Sequence, residues 1–124
     1  MKITRILHAS VNVEHRLDPT AAFYASVLGL DPAARPTIPG IAGQWFSVGD
    51  AQVHLVDAPH RGAPQIDPTG PHVCFGVEDF DTALTELDGA GIPYERAMQG
   101  SVPQAWITDP SGFTIELQPD PRPA

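Results

Sequence analysis

Four residues combine the side-chain types that hold a divalent metal. His8, His54, His72 and Glu116 offer imidazole nitrogens and a carboxylate, the donors that first-row divalent ions accept. Their spacing is not the local one of a helix-borne histidine pair, but it is ordered. Leu7-His8-Ala9-Ser10-Val11-Asn12-Val13-Glu14 aligns with Pro71-His72-Val73-Cys74-Phe75-Gly76-Val77-Glu78, an offset of 64 from His8 to His72. Val53-His54-Leu55-Val56-Asp57-Ala58-Pro59 aligns with Ile115-Glu116-Leu117-Gln118-Pro119-Asp120-Pro121, an offset of 62 from His54 to Glu116. Two donors therefore recur at corresponding places in two copies of one unit. Three neutral nitrogens and one anionic oxygen result. A subset of two histidines and one carboxylate leaves positions open for substrate, as in non-haem Fe(II) oxygenases.

The elements around these residues explain how they could meet. The two copies span about 3–57 and 70–119, with a Pro/Gly-rich linker over 58–69. Side chains alternate along a strand. Leu7, Ala9, Val11 and Val13 point one way and His8, Ser10 and Asn12 the other; Val73, Phe75 and Val77 oppose His72, Cys74 and Gly76. On the last strands Val53 and Leu55 oppose Gln52 and His54, and Phe113, Ile115 and Leu117 oppose Thr114, Glu116 and Gln118. One face is apolar and suits packing under helices. Asp18-Pro19 predicts a first helix, with Asp18 as cap, Pro19 in the first turn, Phe23–Val27 and Tyr24–Leu28 as same-face pairs, and Gly29 as the stop. A second helix is predicted over about 81–90, with Leu84 and Leu87 inward and Gly91 ending it. Tight turns at 48–51 and 109–112 join the last two strands of each copy. The predicted fold is α+β: two βαβββ modules in one domain over 1–124, forming an open barrel-like mixed sheet with helices on its outer face and one concave site.

Composition narrows the function classes. Seven basic and 15 acidic residues among 124 give a formal net charge of −8. Such a chain is poorly suited to phosphate backbones or an anionic membrane surface, so neither nucleic acid nor membrane is an expected partner. One cysteine excludes an internal disulfide. No apolar run approaches the roughly 20 residues that span a bilayer, and residues 1–5 lack the apolar stretch of a secretory signal. A cytoplasmic location is the expectation. Phosphate-loop, dinucleotide and serine-hydrolase motifs are absent from the sequence.

On the stretches 6–13, 23–30, 53–55 and 72–79, and on Asp109-Pro110-Ser111-Gly112-Phe113-Thr114-Ile115-Glu116-Leu117, the chain resembles the vicinal oxygen chelate superfamily. That superfamily includes glyoxalase I, methylmalonyl-CoA epimerase, extradiol dioxygenases and bleomycin-resistance proteins. The resemblance implies paired βαβββ modules around a divalent metal (Fe, Mn, Ni, Co or Zn), with His8, His72 and Glu116 as the usual ligands. Position 54 is the variable one, where glyoxalase I has glutamate and the epimerase glutamine. His54 is thus either a fourth ligand or an acid/base, and His54 and Glu116 are the residues expected to take part in catalysis. The implied function is Lewis-acid chemistry on a small-molecule substrate, of isomerase, lyase or dioxygenase class. The alternative is a metal-free drug- or metabolite-binding protein of the bleomycin-resistance type. Ser10, Cys74, Trp45 and Trp106 are candidate pocket residues, with barrel filling and hairpin packing as the structural readings. Arg96 is a candidate anion holder or a solvated arginine. His15 and His60 are assigned no role. Open sheet edges and the habit of single-unit relatives predict a homodimer, in some relatives with each site shared between chains.

Overall fold

Strand β1 (Ile3–Asn12) leads into α1 (Leu17–Ala22), a π-helical turn (Phe23–Val27), β2 (Asp31–Ala33), β3 (Ala42–Val48) and β4 (Ala51–Asp57). The second module repeats the order as β5 (His72–Val77), α2 (Phe80–Gly89), β6 (Glu95–Gln99), β7 (Val102–Thr108) and β8 (Thr114–Pro119). This is a computed structural model, and it describes residues 1–122. The eight strands form one open mixed sheet in the order β2-β3-β4-β1-β5-β8-β7-β6. Each module contributes half of it, and β1 meets β5 antiparallel at the centre. Within each module the first and last strands run parallel, β1 with β4 and β5 with β8. Among the described residues no helix is long and apolar enough to cross a membrane.

The apolar strand faces pack against the helices in two clusters. Val77, Leu117 and Ala105 meet Phe80, Ala83, Leu84 and Leu87 of α2. Val13, Phe46 and Leu55 meet Leu17, Ala21 and Tyr24. Helix α2 lies within a residue of its predicted span, with Leu84 and Leu87 buried and Gly91 following it at φ +69°; Asp79, not singled out in the sequence, caps it by accepting from Thr82 N at 3.0 Å.

The first helix departs from expectation. It starts at Leu17, with Arg16 at the cap position and no side-chain capping bond, so Asp18 lies inside the first turn. It then widens: Leu28 N bonds to Phe23 O at 3.2 Å, a five-residue step. Phe23 and Val27 are both exposed, while Tyr24 is half-buried and Leu28, expected on its face, is exposed. Gly29 ends it at φ +71°, as expected. Phe113, expected on the apolar face, precedes β8 and is exposed.

Candidate metal centre

The four central strands each present one candidate donor to the same face. His8 lies on β1, His54 on β4, His72 on β5 and Glu116 on β8. Register makes this work: Ser10 pairs with both His54 and His72, and Cys74 pairs with both His8 and Glu116. All four donors are buried, Glu116 most deeply at 1% exposure. A single chain brings them together.

Glu116 Oε1 lies 3.1 Å from His8 Nε2 and 3.1 Å from His72 Nε2. The other oxygen, Oε2, accepts from Gln118 Nε2 at 2.5 Å and Gln104 Nε2 at 3.1 Å. Burial alone would raise the Glu116 pKa, but the hydrogen bonds from His72 and His8 outweigh it and hold the carboxyl at about 2. The carboxylate is therefore ionised and fixed in orientation.

His72 carries the most telling geometry. Its Nδ1 is 2.8 Å from the Gly70 carbonyl oxygen. A carbonyl oxygen only accepts, so Nδ1 bears the hydrogen. His72 Nε2 then faces a carboxylate oxygen 3.1 Å away. Two acceptors that close need a positive charge between them, either a proton or a cation. An imidazole that gives one N–H to a backbone carbonyl while its other nitrogen faces the site is the usual setting of a metal-ligating histidine.

One nitrogen of His54 is likewise hydrogen-bonded. Its Nε2 is 2.8 Å from Gln52 Oε1, which only accepts, so Nδ1 keeps the lone pair. The ring is clamped between Trp45, at 3.8 Å and 3° from parallel, and His8, at 3.9 Å and 21°. Burial first, and then the His8 charge, push the His54 pKa down to about 2, so the ring stays neutral. Neutral imidazole is the form that ligates. Trp106 stands edge-on to His72 at 4.9 Å. The two tryptophans thus steady one imidazole in each module.

Among the described residues, the possible donors whose ligand atoms all lie within 4.8 Å of one another are His8, Cys74 and Glu116; His54 and His72 stand outside that group. Cys74 is fully buried, and burial followed by the nearby Glu116 charge raises its thiol pKa. It does not line the cavity that opens over the site. That cavity, about 250 Å³, is walled by Ser10, Trp45, Trp106, Ile38, Ile41 and Met98 beside the donors. Arg96 is on the same wall and exposed. His15 and His60 lie away from the donors, near Asp57 and Asp67.

Gln104, Gly70 and the cavity-lining Arg35 were given no place in the sequence reading, whereas Gln52 and Gln118 were placed on the donor face without a role. Gln104 shares a strand face with Trp106, two residues on, which is a signal that alternation carries. Arg35 sits in the connection between β2 and β3, where no period exists to read.

The fold is thus an eight-stranded sheet of two βαβββ modules, with three buried imidazoles and one buried carboxylate beneath a small cavity, a donor set that could hold a divalent ion. The chain belongs to the Glyoxalase/Bleomycin resistance protein/Dioxygenase superfamily, whose family model matches residues 5–117. It is 32% identical over 125 residues to Glyoxylase I 4 of Arabidopsis thaliana, covering 94% of this chain and 71% of the relative. Its fold is similar to that of a hypothetical protein from Bacillus halodurans C-125, with TM-score 0.75, 16% identity and coverage of 97% and 96% of the two chains. It is also similar to that of methylmalonyl-CoA epimerase from Mycobacterium tuberculosis, with TM-score 0.73, 23% identity and coverage of 96% and 90%.

Proposed function

We propose that the chain is a metal-dependent enzyme acting on a small substrate, with His8, His72 and Glu116 as ligands and His54 as a fourth donor. The observation that carries this reading is that His8 Nε2 and His72 Nε2 both lie 3.1 Å from Glu116 Oε1, with His72 Nδ1 committed to the Gly70 carbonyl. The donor set fits a borderline divalent ion, since it offers neutral nitrogens and one hard anionic oxygen. Bound there, the ion would supply Lewis acidity to substrate oxygens.

The chain's own groups do the rest. Gln104 and Gln118 fix the Glu116 carboxylate, and Gly70 and Gln52 fix the tautomers of His72 and His54. Trp45 and Trp106 hold the rings and, with Ile38 and Ile41, narrow the space left to water. A dry, preorganised site strengthens electrostatic interactions with developing charge. The name of the Arabidopsis relative, Glyoxylase I 4, supports a lyase or isomerase class.

Metal titration of variants tests the ligand assignment. His8→Ala, His72→Ala and Glu116→Gln are each expected to weaken Zn²⁺ or Co²⁺ binding by more than about a hundredfold, beyond the range of outer-shell changes. His15→Ala is the control and should bind as the wild type does. Unchanged metal affinity in His54→Ala would remove His54 from the ligand set. Unchanged affinity in the other three would remove the centre itself.

A further inference from the structure

Among the described residues, two buried side-chain polar atoms have no hydrogen-bond partner: Arg35 Nε and Trp106 Nε1. Both are donors, and both belong to residues lining the cavity over the candidate metal centre. Buried donors are nearly always satisfied, so two orphans on one cavity point to an acceptor that arrives with a ligand.

The charge of Arg35 is unanswered as well. Lys2, Arg5, Arg61 and Arg122 all pair with carboxylates. Arg16, Arg35 and Arg96 pair with none among the described residues, and of these Arg35 alone is half-buried, the other two being exposed. Yet its guanidinium is held in place. Nη2 donates to the Ile41 carbonyl at 2.8 Å. The group lies over Gly43, where a Cβ would come within 3.2 Å of Nε and 3.3 Å of Nη2. A positioned, half-buried and unpaired guanidinium is suited to reading a planar anion.

We propose that Arg35 recognises a carboxylate of the substrate. This names the substrate class of the enzyme proposed above, a small organic acid, and rests on reading this cavity as its substrate site. The acid's apolar body would lie along Ile38, Ile41 and Met98. A volume of about 250 Å³ suits such a molecule and is at the small end for ligand cavities. Glu95 and Glu116 also line the space, which favours a monoanion over a phosphate dianion.

Benzoate and its neutral near-isostere benzamide test this on the full chain treated with a chelator, so that a carboxylate cannot bind through metal. Trp45 and Trp106 are the two tryptophans of the sequence and both line the cavity, so intrinsic fluorescence reports occupancy. Benzoate should bind the wild type roughly tenfold or more tighter than benzamide, the effect of one charge-assisted hydrogen bond. Arg35→Gln should abolish that preference while keeping the benzamide affinity, Arg35→Lys should restore part of it, and Arg16→Gln, outside the cavity, should leave it intact. Equal affinities in the wild type, or a preference that survives Arg35→Gln, would overturn the proposal.

A second readout needs no variant. Benzoate, and not benzamide, should shield Arg35 from phenylglyoxal in wild-type protein mapped by mass spectrometry. Modification unaffected by saturating benzoate would equally overturn it. Metal binding by the untreated protein is scored separately, so failure of the carboxylate site and failure of the metal centre are distinct results.

Discussion

Replacing Gln104 by leucine removes one hydrogen bond from the Glu116 carboxylate while nearly conserving volume. Glu116 Oε2 takes two amide donors, Gln118 at 2.5 Å and Gln104 at 3.1 Å, and this leaves Oε1 toward His8 and His72. A hydrogen bond to a charged acceptor is worth about 1.5–3 kcal/mol. The lower end applies to Gln104, because its bond is the longer one and Gln118 remains. About 1.5 kcal/mol is roughly tenfold in an equilibrium constant. We therefore expect Gln104→Leu to bind metal about tenfold more weakly, within the range found when groups behind metal ligands are removed. The double variant Gln104→Leu/Gln118→Leu should fall by about a hundredfold or more, without strict additivity, because both amides serve one carboxylate. Competition against a chromogenic chelator for Zn²⁺ at neutral pH measures this, with thermal midpoints run alongside. If both single variants bind within about twofold of the wild type while Glu116→Gln does not bind, orientation of the carboxylate by these amides is refuted.

Asp67 accepts from Arg61 N at 2.9 Å, Gly62 N at 2.7 Å and His60 Nδ1 at 2.9 Å, so Asp67→Asn should lose about 1.5–3 kcal/mol, read as a lower thermal midpoint. Burial would raise the Asp67 pKa, but these hydrogen bonds, His60 first, hold it below its ordinary 3.8. Its contribution is therefore full above that value and is lost as pH falls through the folded pKa. A stability gap between wild type and Asp67→Asn that stays constant into strong acid would contradict this. His60 is raised by Asp67, so its part is full below its ordinary 6.5 and fades as pH rises past the folded value. Gly43→Ala places a Cβ 2.2 Å from the Leu55 carbonyl oxygen in the β3–β4 pair and should destabilise by about 1–3 kcal/mol; an unchanged thermal midpoint would count against that packing. Strands β2 and β6 are open edges of the sheet, so a homodimer is expected in light scattering, and a monomer across micromolar concentrations would contradict it.

Sequence reasoning reached furthest where chemistry and period coincided. On β1, β4, β5 and β8 the alternation separated donors from apolar residues, and the offsets of 64 and 62 placed those strands as equivalents. The structure sets them side by side, as the repeat implied. The first helix was harder. Its apolar residues fit a 3.6-residue period, yet the chain widens at Phe23–Val27 and rotates Phe23, Val27 and Leu28 outward. Tertiary packing of Tyr24 and Leu17 on Phe46 and Leu55 overrides the local pattern there. Arg35 and Gly70 were invisible for another reason. Their roles come from where loops fall in space, through the Ile41 and Gly70 carbonyls, and no spacing rule encodes that.

Metal analysis of the chain purified without a histidine tag is the most direct test of the proposed centre. We expect one tightly held divalent ion per chain, or stoichiometric uptake from Fe, Mn, Ni, Co or Zn after stripping, lost in Glu116→Gln. A wild-type chain that holds no stoichiometric metal and takes up none of these ions would contradict the enzyme reading and point instead to metal-free ligand binding.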